Sequence, residues 1–237
     1  MVAMLLTTAG FVAAQEPYTS DTLQTSPTLT TPTLPVVREI LDDIEEKHSD
    51  IKSLIIDFRQ VKIWEEFGDE IESNGRLLLQ KPMKLRCEYF QPDPSVILFV
   101  DDAFYQYTPK LKQVDKFVYE SEEEAEARFR LLMLGFGISG EQILQNYHVS
   151  PAPAWDTDSE DGNIVLDFIP TNPGIRKITK SIRVWFDRKT LIPKQIRIEE
   201  VSADVIGIYI KDYEVNAEIE EKHFKAEWPR GTKVLEH

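Results

Sequence analysis

Residues 53–60 read SLIIDFRQ, residues 75–82 read GRLLLQKP and residues 85–90 read LRCEYF. In each stretch the apolar positions recur at every second residue: Leu54, Ile56 and Phe58, then Leu77 and Leu79, then Leu85, Cys87 and Tyr89. A period of two places successive side chains on opposite faces of an extended chain, so these are strands with one shared apolar face. Working outward, further strands are expected over 96–100, 104–107 and 113–119, and later over 163–169, 179–187, 193–200, 205–215 and 224–228. Pro, Gly, Asp and Asn clusters separate them at hairpin spacing, which is the pattern of an antiparallel meander.

Two helical segments interrupt that pattern. Thr33 and Pro35 supply a cap and a helix-starting proline, after which Val37, Ile40, Leu41 and Ile44 recur at helical spacing up to about His48. Midway, residues 121–146 open with SEEEAEAR, acids in a first helical turn, and continue into an apolar stretch over 129–138. Residues 126–146 carry three glycines, Gly135, Gly137 and Gly140, which lower helix stability and suit a mobile lid. The reading is therefore mainly β with a helical lid: one strongly curved antiparallel sheet of ten or so strands, an N-terminal helix, and short helices over its concave face. A sheet this large curls. With no second sheet to fill the hollow, part of its apolar lining is open to a ligand.

Composition narrows the function. The 237 residues hold 27 basic and 41 acidic side chains, a net charge of −14, which repels phosphate backbones and anionic bilayers, so nucleic acid is not an expected partner. Hydrophobic residues make up 42% of the chain, enough for a sizeable core. Residues 2–14 form an apolar run too short to span a bilayer, with Val12 and Ala14 at the small-residue positions of a cleavage site before Gln15, although no basic residue precedes it. Residues 1–14 thus read as a signal peptide of an exported, soluble protein with no lipid anchor, and 36–237 as one domain. Between them, 13 of the residues 15–35 are Ser, Thr or Pro, the composition of an extended linker. The closing Leu235-Glu236-His237 is given no role.

No catalytic or metal-binding constellation emerges. Residues 135–140, GFGISG, match a dinucleotide fingerprint in letters, but that motif needs a parallel strand before it and a helix after it, and the neighbours here are antiparallel hairpins. A bend between lid helices explains it better. His48, His148 and His223 lack metal-ligand spacing, and the acidic run 122–126 reads as a solvated helix face. The single Cys87 excludes an internal disulfide. No cofactor is expected, and a binding protein is favoured over an enzyme.

Ser53-Leu54, Phe58-Arg59-Gln60, Gly75-Arg76-Leu77, Lys81-Pro82, Leu85 to Tyr89 with Pro92, Asp101, Tyr105 to Pro109 and Leu111 to Val114 follow one another in the order and spacing of the LolA-type outer-membrane lipoprotein carriers. Trp185 to Leu191 and Phe224 with Pro229 to Val234 extend the resemblance over nearly all of the chain after the linker. It implies an unclosed β-barrel with a helical lid that binds lipoprotein acyl chains in the periplasm. Such a carrier works as a monomer, loaded by an inner-membrane ABC transporter and unloaded at an outer-membrane acceptor.

The alternatives are a lipid- or lipoprotein-sensing domain and a carrier of another hydrophobic lipid. On the resemblance, Leu54 and Phe58 line the cavity, Leu85 takes a position that is often aromatic, Cys87 replaces a usual tryptophan, and Tyr105 or its neighbour fills another aromatic position. Lys81 stands where the family has an arginine that latches lid carbonyls. A lysine is a flexible point charge where arginine offers a planar fork, so the latch is expected to be looser. The acyl-binding face is thus expected to comprise Leu54, Ile56, Phe58, Leu77, Leu79, Leu85, Cys87, Tyr89 and Tyr105.

Overall fold

The computed structural model describes residues 34–66, 68–100, 103–118, 136, 139–152 and 162–237. Residues 1–14, read above as a signal peptide, nearly all of 15–35, read as a linker, the SEEEAEAR opening and most of 126–146, expected to form a lid, lie outside these residues. Helix α1 (Leu34–His48) takes in the last two positions assigned to the linker. It turns Val37, Leu41, Ile44 and His48 inward at spacings of four, three and four, and leaves Asp42, Asp43, Glu45 and Glu46 in solvent.

Twelve strands follow: β1 (Ser53–Trp64), β2 (Asp69–Gln80), β3 (Lys84–Gln91), β4 (Ser95–Val100), β5 (Ala103–Thr108), β6 (Gln113–Val118), β7 (Tyr147–Pro151), β8 (Ile164–Pro170), β9 (Thr179–Phe186), β10 (Pro193–Glu200), β11 (Val205–Val215) and β12 (Lys233–Glu236). Helix α2 (Gly140–Asn146) precedes β7, and the single turn α3 (Pro173–Arg176) follows β8. All twelve belong to one sheet in the order β12-β6-β5-β4-β3-β2-β1-β11-β10-β9-β8-β7. Its two ends, β12 and β7, do not pair, so the sheet is an unclosed barrel.

Neighbours in sequence are neighbours in the sheet except at two places. The long hairpin β1–β2 pairs without a break from Ser53 opposite Gln80 to Trp64 opposite Asp69. Across its other edge, β1 pairs antiparallel with β11, some 150 residues away, which brings the two halves of the meander together. Lys211 is an extra residue there, because Asp57 faces Asp212 while Phe58 faces Ile210. The bulge leaves Ile206, Ile208 and Ile210 on the concave face and splays the end of β11 into solvent. A second extra residue, Phe90, arises because Asn74 faces Gln91 while Gly75 faces Tyr89, and it is exposed on the outer side.

Three expectations need correction. Residues 224–228 are not a strand: Glu221–Phe224 form a 3-10 turn, Phe224 is buried on the outer face, and Trp228 packs 5.2 Å from the ring of Tyr107. The outer edge of β6 is taken by β12, which pairs parallel to it and so breaks the all-antiparallel pattern. Leu235 and Glu236, given no role above, belong to β12, with Glu236 bound to the Lys116 ammonium at 2.8 Å. Finally, β7 escapes a pattern search because it follows α2 without an intervening turn residue, although Tyr147 and Val149 alternate inward.

Candidate functional site: an apolar cavity on the concave face

The core lies inside the curl. Directly opposed residues of antiparallel strands share a face, so Ile56 meets Leu77 and Leu77 meets Cys87, while Leu54 meets Leu79 and Leu79 meets Leu85. Part of this face is unfilled. A cavity of about 520 Å³, counting the portion open to solvent, is lined by Ile56 and Phe58 of β1, Leu77 of β2, Leu85, Cys87 and Tyr89 of β3, Ile196 of β10, Ile208 and Ile210 of β11, and Phe136.

Six of the expected residues therefore line the cavity together: Ile56, Phe58, Leu77, Leu85, Cys87 and Tyr89. Leu54 and Leu79 are buried in the same core beside it and do not line it. Tyr105 is corrected to the opposite face. Val100 pairs with Ala103, so Phe99 pairs with Phe104 and Leu98 with Tyr105. The neighbour Phe104 thus turns inward, and Tyr105 packs outward, 6.1 Å from the ring of Trp228. Ile196, Ile208, Ile210 and Phe136 were not anticipated. The alternation in 195–198 and 205–210 signals the inner faces of β10 and β11, yet only the β1–β11 pairing brings those faces to the cavity.

The walls are apolar with one polar seam. The Tyr89 ring stands edge-on to Phe58 at 5.5 Å, and its hydroxyl donates to Oε1 of Gln60 at 2.9 Å. Burial pushes the Cys87 thiol up to about 11, so at neutral pH it is a protonated, weakly nucleophilic wall group. Phe58 can lie where it does because residue 75 has no side chain: a Cβ there would meet the Phe58 ring at 2.5 Å and the Glu88 carbonyl oxygen at 2.6 Å.

Helix α1 packs its Val37, Leu41 and Ile44 into the same core, beside the cavity and not in its lining. Its C-terminal carbonyl, that of His48, accepts a hydrogen bond from the half-buried Lys81 ammonium at 3.3 Å, and a cation at a helix C-terminus is favourably placed. Burial lowers the Lys81 pKa from its usual value. Leu41 of α1 packs against Gly140, whose backbone N–H donates to Glu45 Oε2 at 2.9 Å, tying α2 to α1. Among the described residues no helix is long and apolar enough to cross a membrane, and no group of three His, Cys, Asp or Glu side chains is placed to hold a metal ion. Gly140 of the 135–140 motif opens α2, whose Ser139 cap accepts from Gln142 N–H; residues 135, 137 and 138 lie outside the described residues.

An unclosed sheet curled around an apolar hollow and flanked by a helix is an architecture suited to a hydrophobic ligand. Residues 49–227 match the family model described as outer membrane lipoprotein carrier protein LolA, and the chain belongs to that family. It is 26% identical over 164 residues, 69% of this chain and 71% of the relative, to the outer-membrane lipoprotein carrier protein of Chromohalobacter salexigens. A shorter match, 36% over 66 residues, covers 28% of this chain and 29% of an uncharacterized protein of Rickettsia prowazekii. Among solved structures, an uncharacterized conserved protein of Thermus thermophilus superposes with a TM-score of 0.54 at 9% identity, over 85% of this chain and 99% of that one. This last likeness is one of fold.

Proposed function

We propose that this chain is a periplasmic carrier that shelters lipoprotein acyl chains in the cavity and moves them from the inner to the outer membrane, acting by binding and not by catalysis. The observation that carries the reading is the cavity itself: an apolar hollow on the concave side of a sheet that does not close. Each buried methylene contributes about 0.8 kcal/mol, so a chain of about 15 gains on the order of 12 kcal/mol before costs. Partial burial under a movable cover lets the same energy be given back on delivery. Family membership supports lipoprotein as the cargo. On this reading an inner-membrane ABC transporter is the donor and an outer-membrane protein the acceptor. The carrier works as a monomer.

The test uses the lining residue best placed to tolerate a charge. Leu85 is 1% exposed, so a carboxylate there endangers the fold, whereas Leu77 is half-buried at the cavity wall. Leu77→Glu shortens the apolar wall by two or three methylene contacts and is expected to weaken a fluorescent acylated peptide about tenfold or more with little change in melting temperature. Native mass spectrometry of protein purified from the periplasm is expected to show acylated cargo. Unaltered binding in Leu77→Glu would place the acyl site elsewhere.

A further inference from the structure

His48 is the last residue of α1 and is 1% exposed. Neither ring nitrogen has a hydrogen-bond partner among the described residues. A buried polar group without a partner is costly and calls for a reason. The carbonyl of this same residue accepts the Lys81 ammonium, so ring and ammonium meet at the same end of α1.

We propose that His48 is a proton-operated release for α1: with the ring neutral the helix stays docked on the core, and protonation undocks it and uncovers the core face beside the cavity. The proposal rests on the acyl reading only for what undocking would discharge.

The charges around the ring explain the direction. From α1 it is faced by the Lys47 ammonium, and from the β2–β3 turn by the Lys81 ammonium. The β9–β10 turn contributes the backbone of Thr190 and Leu191, which favours the charged ring without reaching hydrogen-bond geometry. The carboxylate on that turn, Asp187, is occupied by the N–H groups of Lys189 and Thr190 and by the Thr190 hydroxyl. Asp50, two residues past the ring, is exposed. Burial first, then Lys81, lowers the ring pKa below 6.5 in the docked state. An undocked ring returns toward 6.5 and binds protons more readily, so docking is unpenalised above that pH and weakens as the pH falls through it. The undocked-to-docked ratio rises by up to about tenfold per unit fall in pH, until the docked ring also protonates.

Hydrogen exchange of the α1 amides tests this without any ligand. After correction for the intrinsic pH dependence of exchange, α1 is expected to lose up to about tenfold in protection between about pH 7.5 and about pH 5.5, and His48→Phe is expected to remove the difference. Equal protection at both pH values in the wild type, or an unchanged pH response in His48→Phe, overturns the proposal. Should His48→Phe fail to fold, an NMR titration of the wild-type ring decides the matter: a pKa clearly below 6.5 is expected, and one at or above 6.5 overturns it. A fluorescent acylated peptide that fails to bind even at about pH 7.5 would strike the acyl reading and leave the pH response of α1 to stand or fall by itself.

Discussion

Phe58 owes its place at the cavity wall to the missing side chain at Gly75, directly opposite it on β2. A methyl group at 75 would overlap both the Phe58 ring and the Glu88 carbonyl, and the second is backbone that cannot swing away. Gly75→Ala is therefore expected to cost about 1–3 kcal/mol, read as a lower melting temperature, and to weaken acyl-probe binding by tilting Phe58 into the hollow. Adding Phe58→Leu relieves only the ring contact, so stability should recover in part. Full recovery would show that the Glu88 carbonyl was never in the way. Single residues were legible where they sat inside one alternating run, as Ile56, Phe58, Leu85 and Cys87 did. Tyr105 was misplaced because a face carries across a hairpin only if the register is known. Reading the break at 101–102 as a two-residue loop pairs 100 with 103 and 98 with 105, which sends Tyr105 outward.

At the scale of elements, a buried polar corner helps join β1 to the later half of the sheet. The Lys62 ammonium lies 3.0 Å from Glu200 at the end of β10 and 3.1 Å from Asp204 in the β10–β11 turn. Asp204 in turn accepts from the Glu65 N–H, fastening the β1–β2 turn to the same corner. Lys62→Met leaves two carboxylates facing each other without a cation and is expected to cost about 3–5 kcal/mol in denaturant unfolding. Neutralising them as well, with Glu200→Gln and Asp204→Asn, should return most of that loss. A triple variant no more stable than Lys62→Met would mean that packing, not charge, holds the corner. None of this was readable from the sequence. Local hairpins announce themselves by turn residues and spacing, whereas Lys62 meets its partners only through the β1–β11 pairing, which no local pattern encodes. The four residues of β12 were too few to show a period.

At the scale of the whole molecule, the described residues form two apolar layers, and one of them surrounds the cavity. Ile97, Leu98 and Phe99 of β4 have no exposure at all, so this strand is covered on both faces. Inside, the cavity core covers it; outside, Leu78, Leu98 and Val100 lie under Phe224, with Ile219, Tyr105 and Trp228 around them. The chain after β11 thus crosses the back of the sheet before ending as β12. Trp228 packs at a tilt against the rings of Tyr105 and Tyr107 and is half-buried, so Trp228→Ala should remove part of this outer layer, at about 1–3 kcal/mol. The loss should be local: amides of β12 and of the turn at Glu221–Phe224 should exchange faster, while β1 and β11, each paired on both sides, keep their protection. Because Trp228 and the cavity lie on opposite faces, acyl-probe affinity should be unchanged. A variant that lost probe binding along with β12 protection would show that the two layers yield together, and that the back of the sheet sets the shape of the hollow in front.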